Sequence, residues 1–158
     1  MQKYIFLLMT ISSHAFSQET KIIDELDMAF QAATYASKKA VSLWGKDIAA
    51  PVLFIDPQTR KFFATEEGKE NLFASSGKFH TGTLPDNIPV ANTSLVWSGV
   101  TWAMVMLPLP EDNYGRINLI THEMFHVHQK DLGFLQSNPN NNHLDELSGR
   151  LYLRVELE

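Results

Sequence analysis

No cysteine occurs among the 158 residues. That absence narrows the folds open to the chain more than any other feature. Disulfides, thiolate zinc sites, iron–sulfur clusters and cysteine nucleophiles are excluded together. Stability must come from a packed apolar core, and any metal must sit on His, Asp or Glu. The composition allows such a core: 44% of the residues are hydrophobic and 20% charged, as in folded globular chains rather than disordered ones. The length predicts a single domain. A formal charge of −5 argues against the clustered Lys and Arg that a nucleic-acid partner requires.

Met1 to Ser17 predicts a removable export signal. Lys3 precedes the apolar run Tyr4 to Ile11, and small residues stand at Ala15 and Ser17, just before Gln18. That is the order of a charged region, an apolar region and a cleavage site. The run is about half of the roughly 20 apolar residues that a spanning helix needs. Cleavage leaves residues 18–158 as one domain with no membrane segment, and loss of Lys3 takes the charge to −6. A cysteine-free exported chain fits a bacterial periplasm or the cell exterior.

Along the mature chain, Ile23, Leu26, Phe30, Ala33, Ala40, Val41 and Trp44 recur at steps of mostly three or four, and Gly45 follows. The spacing predicts a long amphipathic packing helix over Glu19 to Trp44. Val52 to Ile55 and Phe62 to Ala64 flank Asp56-Pro57-Gln58-Thr59-Arg60, a β-hairpin whose turn is preset by proline and capped by aspartate. Glu66 to Lys78 reads as a surface loop, and Phe79 to Pro89 as turn-rich. Ser94 to Leu107 predicts two strands around a tight Ser98-Gly99 turn. The second strand, Val100 to Leu107, is apolar on both faces and ends at Pro108 and Pro110. Its proline boundary predicts an edge position. Helices are expected at Arg116 to Lys130, with Ile117, Ile120, Met124 and Val127 on one stripe, and from Leu144 to the last residue.

His122-Glu123-Met124-Phe125-His126 carries the chemistry. Residues four apart on a helix share a face, so two imidazoles can reach one zinc ion. Glu123 stands beside the first of them, where it can take a proton from a water attacking a carbonyl. His128 falls on another face and reads as a surface residue; His80 and His143 are lone loop histidines. Catalytic zinc normally takes three protein ligands. Position 132 is Leu132, so a third histidine six residues after the motif is absent. Asp145, Glu146, Glu156 and Glu158 remain on the last helix. Asp145 and Glu156 are about three turns apart and share a face, so one can bind while the other orients a ligand.

The segment Trp97 to Gln129 resembles the gluzincin group of zinc metallopeptidases. Its sequence WSGVTWAMVMLPLPEDNYGRINLITHEMFHVHQ looks like their edge strand followed by the active-site helix. More narrowly, the mature chain is similar to a set of exported bacterial proteins of unassigned function. The shared features are the D-P-x-T-R hairpin at Asp56 to Arg60, the W-A-M-V-x-x-P-L-P strand at Trp102 to Pro110, H-E-x-F-H, and the segment Leu144 to Glu156. The resemblance implies a zincin-like α+β fold with a small, mostly antiparallel sheet, a long N-terminal helix, the motif helix and a C-terminal helix. It implies zinc on His122, His126 and Glu156, with Glu146 as alternative from its thermolysin-like spacing of twenty residues after His126. Asp145 would support the ligands, and Trp102, Ala103, Met104 and Val105 would pair with extended substrate.

Gluzincins usually continue well past the third ligand, whereas two residues follow Glu156 here. The last helix is therefore expected to be incomplete, in a fragment with a missing C-terminal region, the product of a frameshifted gene, or a stripped-down domain. No transition-state stabiliser stands out; Tyr114, Tyr152, Arg150 and Arg154 are of suitable type and read as structural. Two functions are consistent with these observations. One is an exported zinc metallopeptidase acting on peptides or proteins, with Glu123 as general base. The other is a non-catalytic binding domain on a zincin-like scaffold.

Overall fold

The computed structural model describes residues 2–70, 72–134, 147–148 and 151. Its elements are α1 (Gln2–Lys39), α2 (Val41–Trp44), β1 (Val52–Ile55), β2 (Lys61–Ala64), β3 (Ala74–Ser76), β4 (Phe79–Thr83), β5 (Thr93–Trp97), β6 (Val100–Met106) and α3 (Asn113–His128). The class is α+β. The six strands form one mixed sheet in the order β3-β4-β2-β1-β6-β5. Four of its five pairings are antiparallel, and β1 pairs parallel with β6.

The expected N-terminal helix divides. α1 begins upstream of Glu19 and runs unbroken through the Ser17–Gln18 junction to Lys39. Ala40 then leaves helical geometry (φ −80°, ψ 2°), and α2 adds four residues before Gly45 closes it at φ 74°. Only glycine takes that left-handed geometry without a Cβ penalty. Among the described residues, no helix is long and apolar enough to cross a membrane.

Both expected hairpins form. In the β1–β2 turn, Asp56 Oδ1 accepts from the Gln58 and Thr59 amides at 2.8 and 3.3 Å, and Oδ2 accepts from the Thr59 hydroxyl at 2.7 Å. These donors hold the Asp56 carboxyl below its ordinary range. The β5–β6 turn places Ser98 at φ 50° and Gly99 at φ 74°, the left-handed pair that suits the twist of a two-residue hairpin. The expected loop and turn-rich stretch also contain a hairpin, β3–β4, with Ser75 opposite His80 and Ser76 opposite Phe79.

The strand expected at an edge lies inside the sheet. β6 is paired with β1 on one side and β5 on the other, and Trp102, Ala103, Met104 and Val105 are fully buried. Its prolines stand beyond the ladder, so they remove no pairing donor. Leu107, just before them, still donates its amide to the Ile55 carbonyl at 2.8 Å. The apolar character of both faces is the feature that matters, since an interior strand covered on two sides needs it.

Alternation along β1 and β6 builds two cores. Val52, Phe54, Ala103 and Val105 face the helices and pack with Leu26, Ala33, Ile120 and Met124. Leu53, Ile55, Trp102 and Met104 face the other way, against Phe62, Leu84, Trp97 and the loop residues Phe73, Ile88 and Val90. α3 packs on both α1 and the β5–β6 pair. Arg116 anchors the start of α3, donating to the Pro110 carbonyl at 2.6 Å and pairing with Glu25 of α1 at 2.7 Å.

Candidate metal centre

α3 positions the motif. Asp112 caps it, its carboxylate accepting from the Gly115 amide at 2.7 Å, which satisfies a donor the helix itself leaves unpaired. Ile120 and Met124 fall on the face turned to the sheet and are fully buried. That orientation carries the neighbouring face, with His122 and His126, away from the core. Their Nε2 atoms stand 3.0 Å apart, and the rings meet edge to face with centroids 4.6 Å apart.

The tautomer of His126 follows from its other nitrogen. Nδ1 lies 2.7 Å from Gln129 Oε1, and a carbonyl oxygen only accepts, so Nδ1 carries the proton. In the neutral ring Nε2 is then left with a lone pair, turned toward Nε2 of His122. An outer partner of this kind fixes ring orientation and tautomer in metal-binding histidines. Gln129 was not singled out from sequence. Its signal was the spacing: three residues past His126, on the same side of the helix end.

Glu123 is 3% exposed, and its buried Oε2 has no hydrogen-bond partner among the described residues. Burial pushes its carboxyl up from the ordinary range, while the His122 and His126 imidazoles pull it down. A carboxylate desolvated on one side of two converging imidazoles is costly to hold without a compensating group.

These features fit zinc. Two nitrogens each about 2.0–2.1 Å from a tetrahedral zinc stand roughly 3.3 Å apart, a few tenths from the observed spacing. The donors are imidazoles, and the orphaned Glu123 oxygen needs a proton or a water. Among the described residues no group of three or more His, Asp and Glu comes together to hold an ion. The expected third ligands Glu156 and Glu146, and Asp145 beside them, lie outside the described residues, as do His143, Arg150, Tyr152 and Arg154.

His128 Nε2 lies 3.2 Å from the Ala49 carbonyl, tying the end of α3 to the segment before β1. His80 is on β4, opposite Ala64 and Ser75. Tyr114 is exposed in the first turn of α3. Trp102, Ala103, Met104 and Val105 cannot receive a substrate strand, because both sides of β6 are already paired. The outer neighbour, β5, is the edge on that side.

A cavity of about 570 Å³ lies among α1, the Asp56–Thr59 turn and Leu107–Leu109, with no imidazole in its wall among the described residues. Another, of about 420 Å³, has His122 and His126 in its wall. No known family model matches the chain, and neither a curated protein nor a solved structure matches it.

Proposed function

We propose that the chain is an exported zinc metallopeptidase with a zincin-like, gluzincin-type centre. The observation that carries this reading is the meeting of the His122 and His126 Nε2 atoms at 3.0 Å beside a buried, unpartnered Glu123 oxygen. His122 and His126 would hold the ion, with Glu156 as third ligand and Glu146 as its alternative. Zinc bound there would supply Lewis acidity, polarising an amide carbonyl and acidifying a water.

The chain's own residues do the rest. Gln129 keeps the proton of His126 on Nδ1 and so keeps Nε2 available. Glu123 Oε2 takes the proton of the attacking water and returns it to the departing amine. Burial raises its carboxyl above the ordinary range, against the pull of the two imidazoles, and so makes it a stronger base. The substrate is a peptide in extended form, paired along the outer edge of β5 rather than along β6. The apolar run Tyr4 to Ile11 supports export, with cleavage near Ser17.

The test is Glu123→Gln. Zinc stoichiometry should stay at that of the parent chain, and peptide cleavage should fall by at least about 100-fold. Undiminished cleavage by this variant would refute the assignment of Glu123. Zinc uptake with no cleavage by the parent chain would instead mark a binding domain on a zincin-like scaffold.

A further inference from the structure

β1 and β6 run parallel, with Val52 opposite Ala103 and Ile55 opposite Met106. At their common carboxyl end the chain leaves β1 through the Asp56–Thr59 turn into β2, on the far side of β1. It leaves β6 through Leu107–Leu109 toward α3. Exits that diverge from neighbouring parallel strands open a crevice between them, which is a common place for ligands. α1 covers this crevice, and the space enclosed is the cavity of about 570 Å³. Its size lies in the range of small-ligand sites.

The floor is apolar. Leu26 is 1% exposed, and Ile22, Phe63 and Leu107 pack against the same core. An apolar body placed there loses only water.

The wall also carries two carboxylates, each held from behind. Glu25 pairs with Arg116 through Oε1 at 2.7 Å. Asp56 accepts through Oδ1 from the Gln58 and Thr59 amides, and through Oδ2 from the Thr59 hydroxyl. A carboxylate has about four acceptor positions, so both can take a further donor. The donors on Asp56 keep its carboxyl below the ordinary range, and therefore charged. Lys61 stands in the wall as well, but it is exposed on a flexible stem that can turn its ammonium to water. The carboxylates are fixed, and a ligand that meets fixed acceptors pays little for ordering them.

The place is distinct from the imidazole pair. Ile22 lines this cavity and Ala36 lines the one at His122 and His126, which puts the two about 21 Å apart along α1.

We infer that the cavity among α1, the Asp56–Thr59 turn and Leu107–Leu109 is a second ligand site, separate from the candidate metal centre. It takes a small organic cation: a primary ammonium group held by Glu25 and Asp56, on an apolar body seated over Leu26, Phe63 and Leu107.

The test is calorimetric titration of the full chain at pH 7, treated with chelator so that no amine binds through a metal. The probes are 2-phenylethylamine, 2-phenylethanol, 3-phenylpropionate and methylamine, which in turn keep the pattern, remove the charge, reverse it and remove the apolar body. 2-Phenylethylamine should bind at least about 10-fold tighter than each of the others. Asp56→Asn keeps the oxygen that caps the turn amides and removes the charge; it should weaken that binding about 10-fold. Ile22→Phe, which fills the cavity instead, should do the same. Tighter binding of 3-phenylpropionate would overturn the proposal in favour of an anion site at Lys61. Equal binding of the four probes, or an amine preference that survives both substitutions in folded protein, would overturn it as well. These outcomes do not involve zinc, so failure here leaves the metallopeptidase reading where it stands.

Discussion

Replacing Glu123 with methionine should make the metal-free protein more stable while removing the proposed general base. Glu123 is 3% exposed, and Oε2 has no hydrogen-bond partner among the described residues. An unsatisfied buried polar group costs about 1–3 kcal/mol, and more when charged. Methionine is unbranched, favours helix and fills a similar space. The gain in unfolding free energy should therefore be about 1–3 kcal/mol. For a chain of this size each kcal/mol moves the midpoint by about 2–4 °C, so Tm should rise by roughly 2–12 °C. Urea unfolding of chelator-treated protein at pH 7 gives the free energy, and an unchanged slope shows that the comparison is between like states. Glu123→Gln should gain less, because its amide is also left short of partners. A loss of more than about 1 kcal/mol in Glu123→Met would instead mean that the carboxylate makes a stabilising contact.

Three further outcomes follow from the geometry. Gln129→Ala should weaken zinc binding about 10- to 100-fold without unfolding the chain, as read by competition with a chromophoric chelator; unaltered affinity would show that the amide does not set the His126 tautomer. Arg60 donates to the Leu84, Pro85 and Ile88 carbonyls at 3.0, 2.5 and 2.6 Å, so Arg60→Ala should cost about 2–3 kcal/mol. Arg60→Lys should recover little, because one ammonium does not reproduce the guanidinium fork; full recovery in denaturant melts would contradict that. Asp56 has its pKa lowered in the folded state by the Thr59 hydroxyl and the turn amides. Its stabilisation is thus complete above the ordinary Asp value of about 3.9 and is lost as pH falls through the folded value. The stability gap between the parent chain and Asp56→Asn should close on acidification below about pH 4, and a gap independent of pH would count against the carboxylate.

The elements with strong local signals were legible. The Asp-Pro turn and the Ser98-Gly99 turn lie where residue chemistry places them, because each turn depends on a few adjacent side chains and on backbone geometry. The motif helix was legible from its apolar stripe, although only Ile120 and Met124 of that stripe are fully buried. β6 shows the opposite case. Its two apolar faces and its bounding prolines pointed in different directions, and burial on both faces decided its position. β4 was hidden because Phe79-His80-Thr81-Gly82-Thr83 carries one large apolar residue; its strand form depends on pairing with β2 and β3, which local pattern does not report. The break at Ala40 was likewise masked by an unbroken helical periodicity across it.

At the candidate site, the convergence of His122 and His126 was readable from the i, i+4 spacing. The role of Gln129 was not, because a glutamine at a helix end has many ordinary uses. The burial of Glu123 was not readable either, since it depends on how α3 sits over the sheet. The 420 Å³ cavity depends on the Ala40 break and on the docking of Trp44 against Phe125, a contact between residues 81 positions apart.

The proposed metal centre is tested by bound-metal stoichiometry, from elemental analysis of the purified chain after incubation with zinc and removal of the excess. One equivalent of zinc is expected, lost in both His122→Ala and His126→Ala. No bound zinc, or zinc retained in full by both variants, would contradict it.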